Sequence, residues 1–179
     1  MSTPPSVTLR ARTEADADVL YSLAAELDTW EERNPGSPVT LSRSAYDART
    51  AAADADTSSK NVRFVIDEGG AALGFIGLFE FDDLARHAEI GIAVTAAARG
   101  RGIGTAALAQ MVEFAFVRCN LRRVHLEVIG SNAAAIRSYE KVGFVVEGQQ
   151  RDHAWVRGNY EDLVMMGLLR SEWKQKSPA

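Results

Sequence analysis

Arg99, Gly100, Arg101, Gly102, Ile103, Gly104 and Thr105 place three glycines between an apolar run at 89–94 and a helical pattern at 105–119. Glycine lets the backbone turn tightly and lets a ligand come close. The first-turn amides of the following helix point outward with the positive end of its dipole. That is chemistry for holding an anion, and a pyrophosphate suits it. The same glycines would also serve a purely structural turn. The flanking Arg99 and Arg101 add charge at the rim, or stand as ordinary solvated loop residues.

The elements that must position this loop follow from periodicity and capping signals. Residues 7–12 read as a first strand, and Thr13-Glu14-Ala15-Asp16 opens a helix to about Leu27. After the break at 34–38, Ser42 or Ser44 starts an alanine-rich helix that ends before Thr57. Runs at 61–67, 72–81 and 87–94 form a meander, its first hairpin closed by Glu68-Gly69-Gly70-Ala71. In the 105–119 helix, Leu108, Met111, Val112, Ala115 and Cys119 recur as a core-facing stripe, which makes Cys119 a packing residue. Residues 123–129 form a strand, Asn132 caps a helix over 133–142, and Gly143 sits where a left-handed C-cap is favoured. Strands at 144–151 and 160–169 close the chain, joined through 154–159. The order is β-αα-βββ-α-β-α-ββ, a mixed α/β (α+β) chain.

The 179 residues suit a single domain, with an ordered core of about 7–170. A net charge of −4 argues against nucleic-acid partners, which require a basic face. One cysteine leaves no internal disulfide and no cysteine-rich zinc site. His87, His125 and His153 lack metal-ligand spacing, so no metal is expected. There is no signal-peptide pattern and no long apolar run, so the expectation is a soluble, cytoplasmic protein with no membrane partner.

Arg99, Gly102 and Gly104 fit the acyl-CoA-binding signature of the GCN5-related N-acetyltransferases (GNAT): Arg or Gln, two residues, Gly, one residue, Gly or Ala. Residues 132–144 resemble that family's second motif through Asn132, Ile136, Tyr139, Gly143 and Phe144. The ending, with Glu147-Gly148, Arg151, Gly158, Tyr160, Asp162 and Met165, is similar to the branch of ribosomal-protein N-terminal and spermidine acetyltransferases. The resemblance covers most of the chain and is weakest over 28–60. It implies a GNAT fold, a mostly antiparallel, splayed sheet of about six to seven strands flanked by about four helices. It also implies acetyl-CoA as cosubstrate, a primary amine of a protein N-terminus or a small molecule as acceptor, and dimerisation, which is common among relatives.

Roles carry over position by position. The amides of 100–105 would hold the CoA pyrophosphate, the backbone near Ile92 and Val94 would pair with the pantetheine arm, and Asn132 would be both cap and cofactor contact. Tyr139 would be the general acid at the departing sulfur, although its spacing from Ile136 is also that of a core aromatic. Glu89 is the candidate base. Strand alternation places it with Gly91 and Ala93, opposite Ile90, Ile92 and Val94, on a face that is either cleft or solvent. Glu127, with His125 on the same face of the next strand, stands in reserve. Trp30, Glu31, Glu32 and the loop 34–39 are substrate-side by position. Two rivals stand beside this: a CoA-binding regulatory module without turnover, and a nicotinamide-dinucleotide site, because Gly102, Gly104 and Ala107 also satisfy G-x-G-x-x-A.

Overall fold

The computed structural model describes residues 5–29, 41–56 and 60–176. Among the described residues there are seven strands: β1 Thr8–Arg10, β2 Val62–Glu68, β3 Ala71–Asp82, β4 His87–Val94, β5 Arg123–Ile129, β6 Val145–Val156 and β7 Asn159–Leu169. They form one sheet in the order β1-β2-β3-β4-β5-β7-β6. Every neighbouring pair is antiparallel except β4 and β5. With one parallel pair and a meander before the glycine turn, this is not the repeated βαβ arrangement a dinucleotide site needs, and that rival fails.

Among the described residues, the helices bounded at both ends are α1 Ala17–Ala25, α2 Arg43–Ala55, α3 Ile103–Glu113, α4 Ala133–Val142 and α5 Arg170–Lys176. Ala88, Ile90, Val124, Leu126 and Val128 line one sheet face and join Ile103, Leu108, Met111, Phe116 and Phe144 in the main core. Fully burying each large side chain of this kind contributes about 1.5–3 kcal/mol. The other face carries α1, whose buried Leu20 and Leu23 lie over the β3 region. Geometry matches the cap signals of the chain: Asn132 Oδ1 accepts from Ala135 N at 3.1 Å, and Gly143 ends α4 at φ 118°.

Several boundaries differ from the sequence expectation. The first strand, expected over 7–12, covers only Thr8–Arg10, and the first helix, expected to run to about Leu27, opens as a 3-10 turn at Glu14–Asp16 and ends at Ala25. The helix expected over 105–119 starts two residues earlier and ends at Glu113, followed by a wider π-type turn at Phe114–Arg118. The wide turn lets Phe114 meet Phe64 edge-on at 5.2 Å while Phe116 packs on Trp173 at 5.6 Å. Cys119, which follows it, is only partly buried against the core, and burial pushes its thiol pKa up. The last hairpin is also longer than expected. Ala154 and Val156 stay in β6, buried with Ile129 and Leu163, because Arg157 and Gly158 alone make the turn at φ 48° and 84°.

Arg10 ties the start of the chain to the sheet. Its Nη1 and Nη2 donate to Asp16 and its Nε to Asp67, each at 2.8 Å. Asp16 also accepts from Thr13 N at 2.7 Å, and both carboxylates are buried. Hydrogen bonds from Arg10 hold both carboxyls below the usual aspartate range. Because the folded values lie below the unfolded one, this stabilisation is complete above about pH 3.9 and is lost as pH falls through the depressed values. Arg10→Met should therefore lower Tm at neutral pH and remove that acid dependence. Thermal melts between about pH 2 and pH 7 check it, and an unchanged acid slope would refute the network's role.

Candidate active site

β4 and β5 pair over only three positions, His87↔Arg123, Ala88↔Val124 and Glu89↔His125. Beyond Glu89 the pairing stops, whereas β4 stays paired to β3 as far as Gly74↔Val94. The sheet thus forks, and a cleft of about 1320 Å³ enters the fork, lined by Glu89, Ile92, Val94, Arg99, Gly100, Gly102, Gly104, Thr105, Asn132 and Tyr139 among others. Residues from separate elements, expected to act together, line this one space.

The glycine turn lines the cleft. Gly100 and Gly102 hold φ of 74° and 82°, a conformation that side-chain-bearing residues rarely adopt. A Cβ at Gly100 would meet nothing within 4 Å, and one at Gly104 would meet only Ile92 Cδ1 at 4.0 Å. Gly102 is the N-cap of α3 and brings no side-chain acceptor, unlike Ser42 and Asn132, which cap α2 and α4. The first-turn amides of α3 are thus left for a ligand, and the space over them suits a group that approaches the backbone closely.

Two residues of this stretch take other places. Ile103 is fully buried in the core, so only its main chain is available to the cradle. Arg101 reaches Glu68 Oε2 at 2.5 Å and does not line the cleft. Arg99 does line it; its Nη2 donates to Thr29 Oγ1 at 3.1 Å and lies 3.6 Å from Glu26 Oε2. The rim charge of the turn is therefore Arg99's, and Arg137 and Lys141 on α4 extend it.

Tyr139 reaches the cleft from α4 with its ring buried against Phe144, centroids 5.9 Å apart. Its carbonyl accepts from both Gly143 N and Phe144 N at 3.1 Å, so the C-cap that ends the helix also holds this residue in place. Asn132 caps α4 as expected and also lines the cleft.

At the fork Glu89 is half-buried. Loss of solvent raises its pKa above the usual glutamate value, and Glu80 and Glu127 push it further in the same direction. Glu127 also lines the cleft, whereas His125 does not, its ring lying instead against His87.

Sequence alternation did not single out Glu80, which it sets on the opposite face from Phe79. A register shift in β3 after Phe79, with Glu80 at φ 49°, brings both to the cleft wall. Arg63 lies over the Phe79 ring at 5.3 Å. The cleft thus carries the glycine turn with Arg99, Arg137 and Lys141 on its wall, and three carboxylates, Glu80, Glu89 and Glu127, with Arg63 beside Phe79 near the fork. Trp30, Glu31, Glu32 and the loop 34–39 lie outside the described residues. Among the described residues no group of three or more His, Cys, Asp or Glu is placed to hold a metal ion, and no helix is long and apolar enough to cross a membrane.

A forked, mostly antiparallel sheet with an open helix start beside the fork is the architecture of an acyl-CoA-binding transferase. Residues 6–145 match the family model described as acetyltransferase (GNAT) domain, and the chain belongs to that family. A putative ribosomal N-acetyltransferase of Bacillus subtilis, YdaF, is 36% identical over 105 residues, 59% of this chain and 57% of its own length. The spermidine N(1)-acetyltransferase of Escherichia coli K12 is 30% identical over 118 residues, 65% of this chain and 63% of its own. The chain thus spans less than two thirds of the length of either relative. The solved spermidine N-acetyltransferase of Vibrio cholerae, in complex with CoA and spermine, superposes with a TM-score of 0.84 at 24% identity, over 94% of this chain and 98% of that one. That match shows a shared fold.

Proposed function

We propose that this protein is an acetyl-CoA-dependent N-acetyltransferase that moves the acetyl group directly to a primary amine, with a polyamine or similar cationic amine as acceptor. One observation carries it: the open start of α3, Glu89 and Tyr139 line a single cleft. The amides of 100–105 and Arg99 would hold the pyrophosphate, and the edge of β4 at Ile92 and Val94, unpaired to β5, would accept the pantetheine arm. Bound there, the thioester supplies an activated acyl carbon.

The chain's own residues have two protons to manage. An alkylamine with a pKa of about 10.4 is neutral in only about one molecule in 2,500 at pH 7, so the acceptor must lose a proton. Glu89 would take it, directly or through water. Tyr139 would give one to the departing sulfur. No nucleophilic triad is needed for direct attack. The carboxylates Glu80, Glu89 and Glu127 favour a cationic acceptor, as do relatives named for spermidine acetylation. A cytoplasmic setting and a homodimer belong to the same proposal.

Screening amines with acetyl-CoA and detecting released thiol tests it. Turnover is expected with di- and polyamines ahead of uncharged-chain monoamines, whereas CoA binding without thiol release from any amine would leave the regulatory-module reading in its place. Tyr139→Phe should lower kcat by about tenfold or more with CoA affinity nearly unchanged. Equal loss of both, read by steady-state kinetics and calorimetry, would refute the acid role.

A further inference from the structure

We propose that His125 and His87 form the exit for the proton that Glu89 removes from the acceptor amine, leading it from the closed side of the β4–β5 fork to solvent beside Asp82. The inference rests on the reaction proposed above. Its ground is the arrangement at the fork. Glu89 and His125 are partners at the last paired position of two parallel strands, so both side chains emerge on one face, and His87 shares that face two residues back. The two imidazoles meet edge to face, centroids 5.1 Å apart and planes at 83°. His87 Nε2 lies 4.0 Å from Asp82 Oδ2, whose residue is exposed. Glu89 lines the cleft, whereas His125 and His87 do not. The run Glu89, His125, His87, Asp82 therefore leads away from the acceptor.

A second observation points the same way. The Nδ1 atoms of both histidines are buried and, among the described residues, have no hydrogen-bond partner. Buried polar nitrogens left unpaired cost stability and are uncommon in folded proteins. Two on touching rings, next to the candidate base, are groups kept ready to accept or pass a proton. The surroundings hold them there. Gly167 faces His125 on β7, and a Cβ at Gly167 would meet Glu147 Oε1 at 2.5 Å and Arg123 Nη1 at 2.6 Å. The Arg123–Glu147 ion pair thus lies flat over that glycine and walls the histidine in.

The charged groups facing the pair come from four strands: Glu80 and Asp82 on β3, Glu89 on β4, Arg123 and Glu127 on β5, and Glu147 on β6. Burial, His87 and Arg123 lower the His125 pKa, against smaller opposing effects of Glu80 and Glu147. Burial raises that of Glu89. The two groups are thus drawn toward each other's range, which favours exchange of a proton in either direction.

The steps balance. The acceptor nitrogen keeps the electron pair of its N–H bond while Glu89 gains the proton as an O–H. That O–H then breaks, its proton is carried by a bridging water to form an N–H on the imidazole of His125, and the carboxylate returns. His125 as imidazolium passes a proton to His87, which releases one to water beside Asp82. No electron enters or leaves, and each group ends in its starting charge.

The test uses His125→Gln and His87→Gln, neither of which removes a cleft-lining residue. In each variant kcat is expected to fall about tenfold with the amine KM within about twofold, and the acidic limb of the pH–rate profile to move. Added imidazole should restore rate in proportion to its concentration, and the double variant should be no slower than the worse single one, as for groups in series. Loss of kcat with an unmoved pH profile and no response to imidazole is what mere packing loss gives, and it would overturn the relay. The His87 side chain is 31% exposed, so His87→Gln keeps the test open if His125→Gln does not fold. A wild-type protein that turns over no amine overturns both this inference and the function it rests on. Wild-type turnover with unaltered variant profiles overturns the relay alone.

Discussion

Replacing Glu89 by Gln is expected to lower kcat/KM for the acceptor by about 10²–10³-fold, in line with removal of a positioned general base. The amide keeps the shape of the side chain and loses its proton affinity. The wild-type rate should rise with pH through the raised pKa of Glu89, because only the carboxylate accepts a proton, and this limb should be absent in the variant. Stability is expected to move the other way. The folded protein holds Glu89 above its unfolded pKa, chiefly through burial and then through Glu80 and Glu127. Its desolvation cost is therefore absent at acid pH, where both states are protonated, grows as pH rises past the unfolded pKa and is complete above the raised folded one. Glu89→Gln escapes this cost, so at neutral pH its Tm should equal or exceed that of the wild type. A variant inactive because it is misfolded would show the opposite. An unchanged pH profile would place the base elsewhere, with Glu127 the next carboxylate to test.

Gly104→Val is expected to raise the Kd for CoA by about two orders of magnitude, roughly 3 kcal/mol, without destabilising the free protein. Gly104 is the second residue of α3, its φ is not positive, and a Cβ there approaches only Ile92 Cδ1 at 4.0 Å. Within the chain a Cβ has room, and valine is a better helix former than glycine by a few tenths of a kcal/mol (about 0.3–0.5). The loss should therefore be confined to the ligand, whose phosphates would approach this turn within hydrogen-bonding distance. Gly102→Val gives the contrast: at φ 82° a side chain strains the backbone, so stability and affinity should fall together. Calorimetric titration with CoA and thermal melts of the free proteins separate the two cases. Undiminished CoA affinity in Gly104→Val would remove the glycine turn from the binding site.

The glycine turn is marked by the amino-acid sequence directly, because its signal is local, whereas Glu89 is indicated by the resemblance to the acetyltransferase family. Strands 87–94 and 123–129 and the helix 133–142 emerge with the bounds that alternation and capping predict, since each is set by residues within a turn or a strand's length. Asn132 and Gly143 end α4 through their own hydrogen bonds and φ, and Gly69 and Gly70, at 63° and 89°, close the first hairpin by the same kind of local geometry. Where the local signal competed with packing, the boundary shifted. Phe114 and Phe116 find partners on β2 and α5, far away in sequence, and the helix widens there to serve both.

What the amino-acid order determined unaided was therefore the set of elements and the glycine turn with its open helix start, each following from a residue and its near neighbours. Tyr139 and Glu89 are candidates through the resemblance to the acetyltransferase family, since spacing alone also suits Tyr139 as a core aromatic and Glu89 as a surface carboxylate. Tertiary structure decided that β4 and β5 join in parallel for three pairs and then part, which makes the cleft and turns Glu89 into a half-buried group with a raised pKa. It also decided that Arg101 serves Glu68, that a bulge brings Glu80 to the fork, and that His87 meets His125. These outcomes depend on the register between strands tens of residues apart. A one-residue slip in that register turns every side chain to the other face, so only the assembled sheet settles which charges meet.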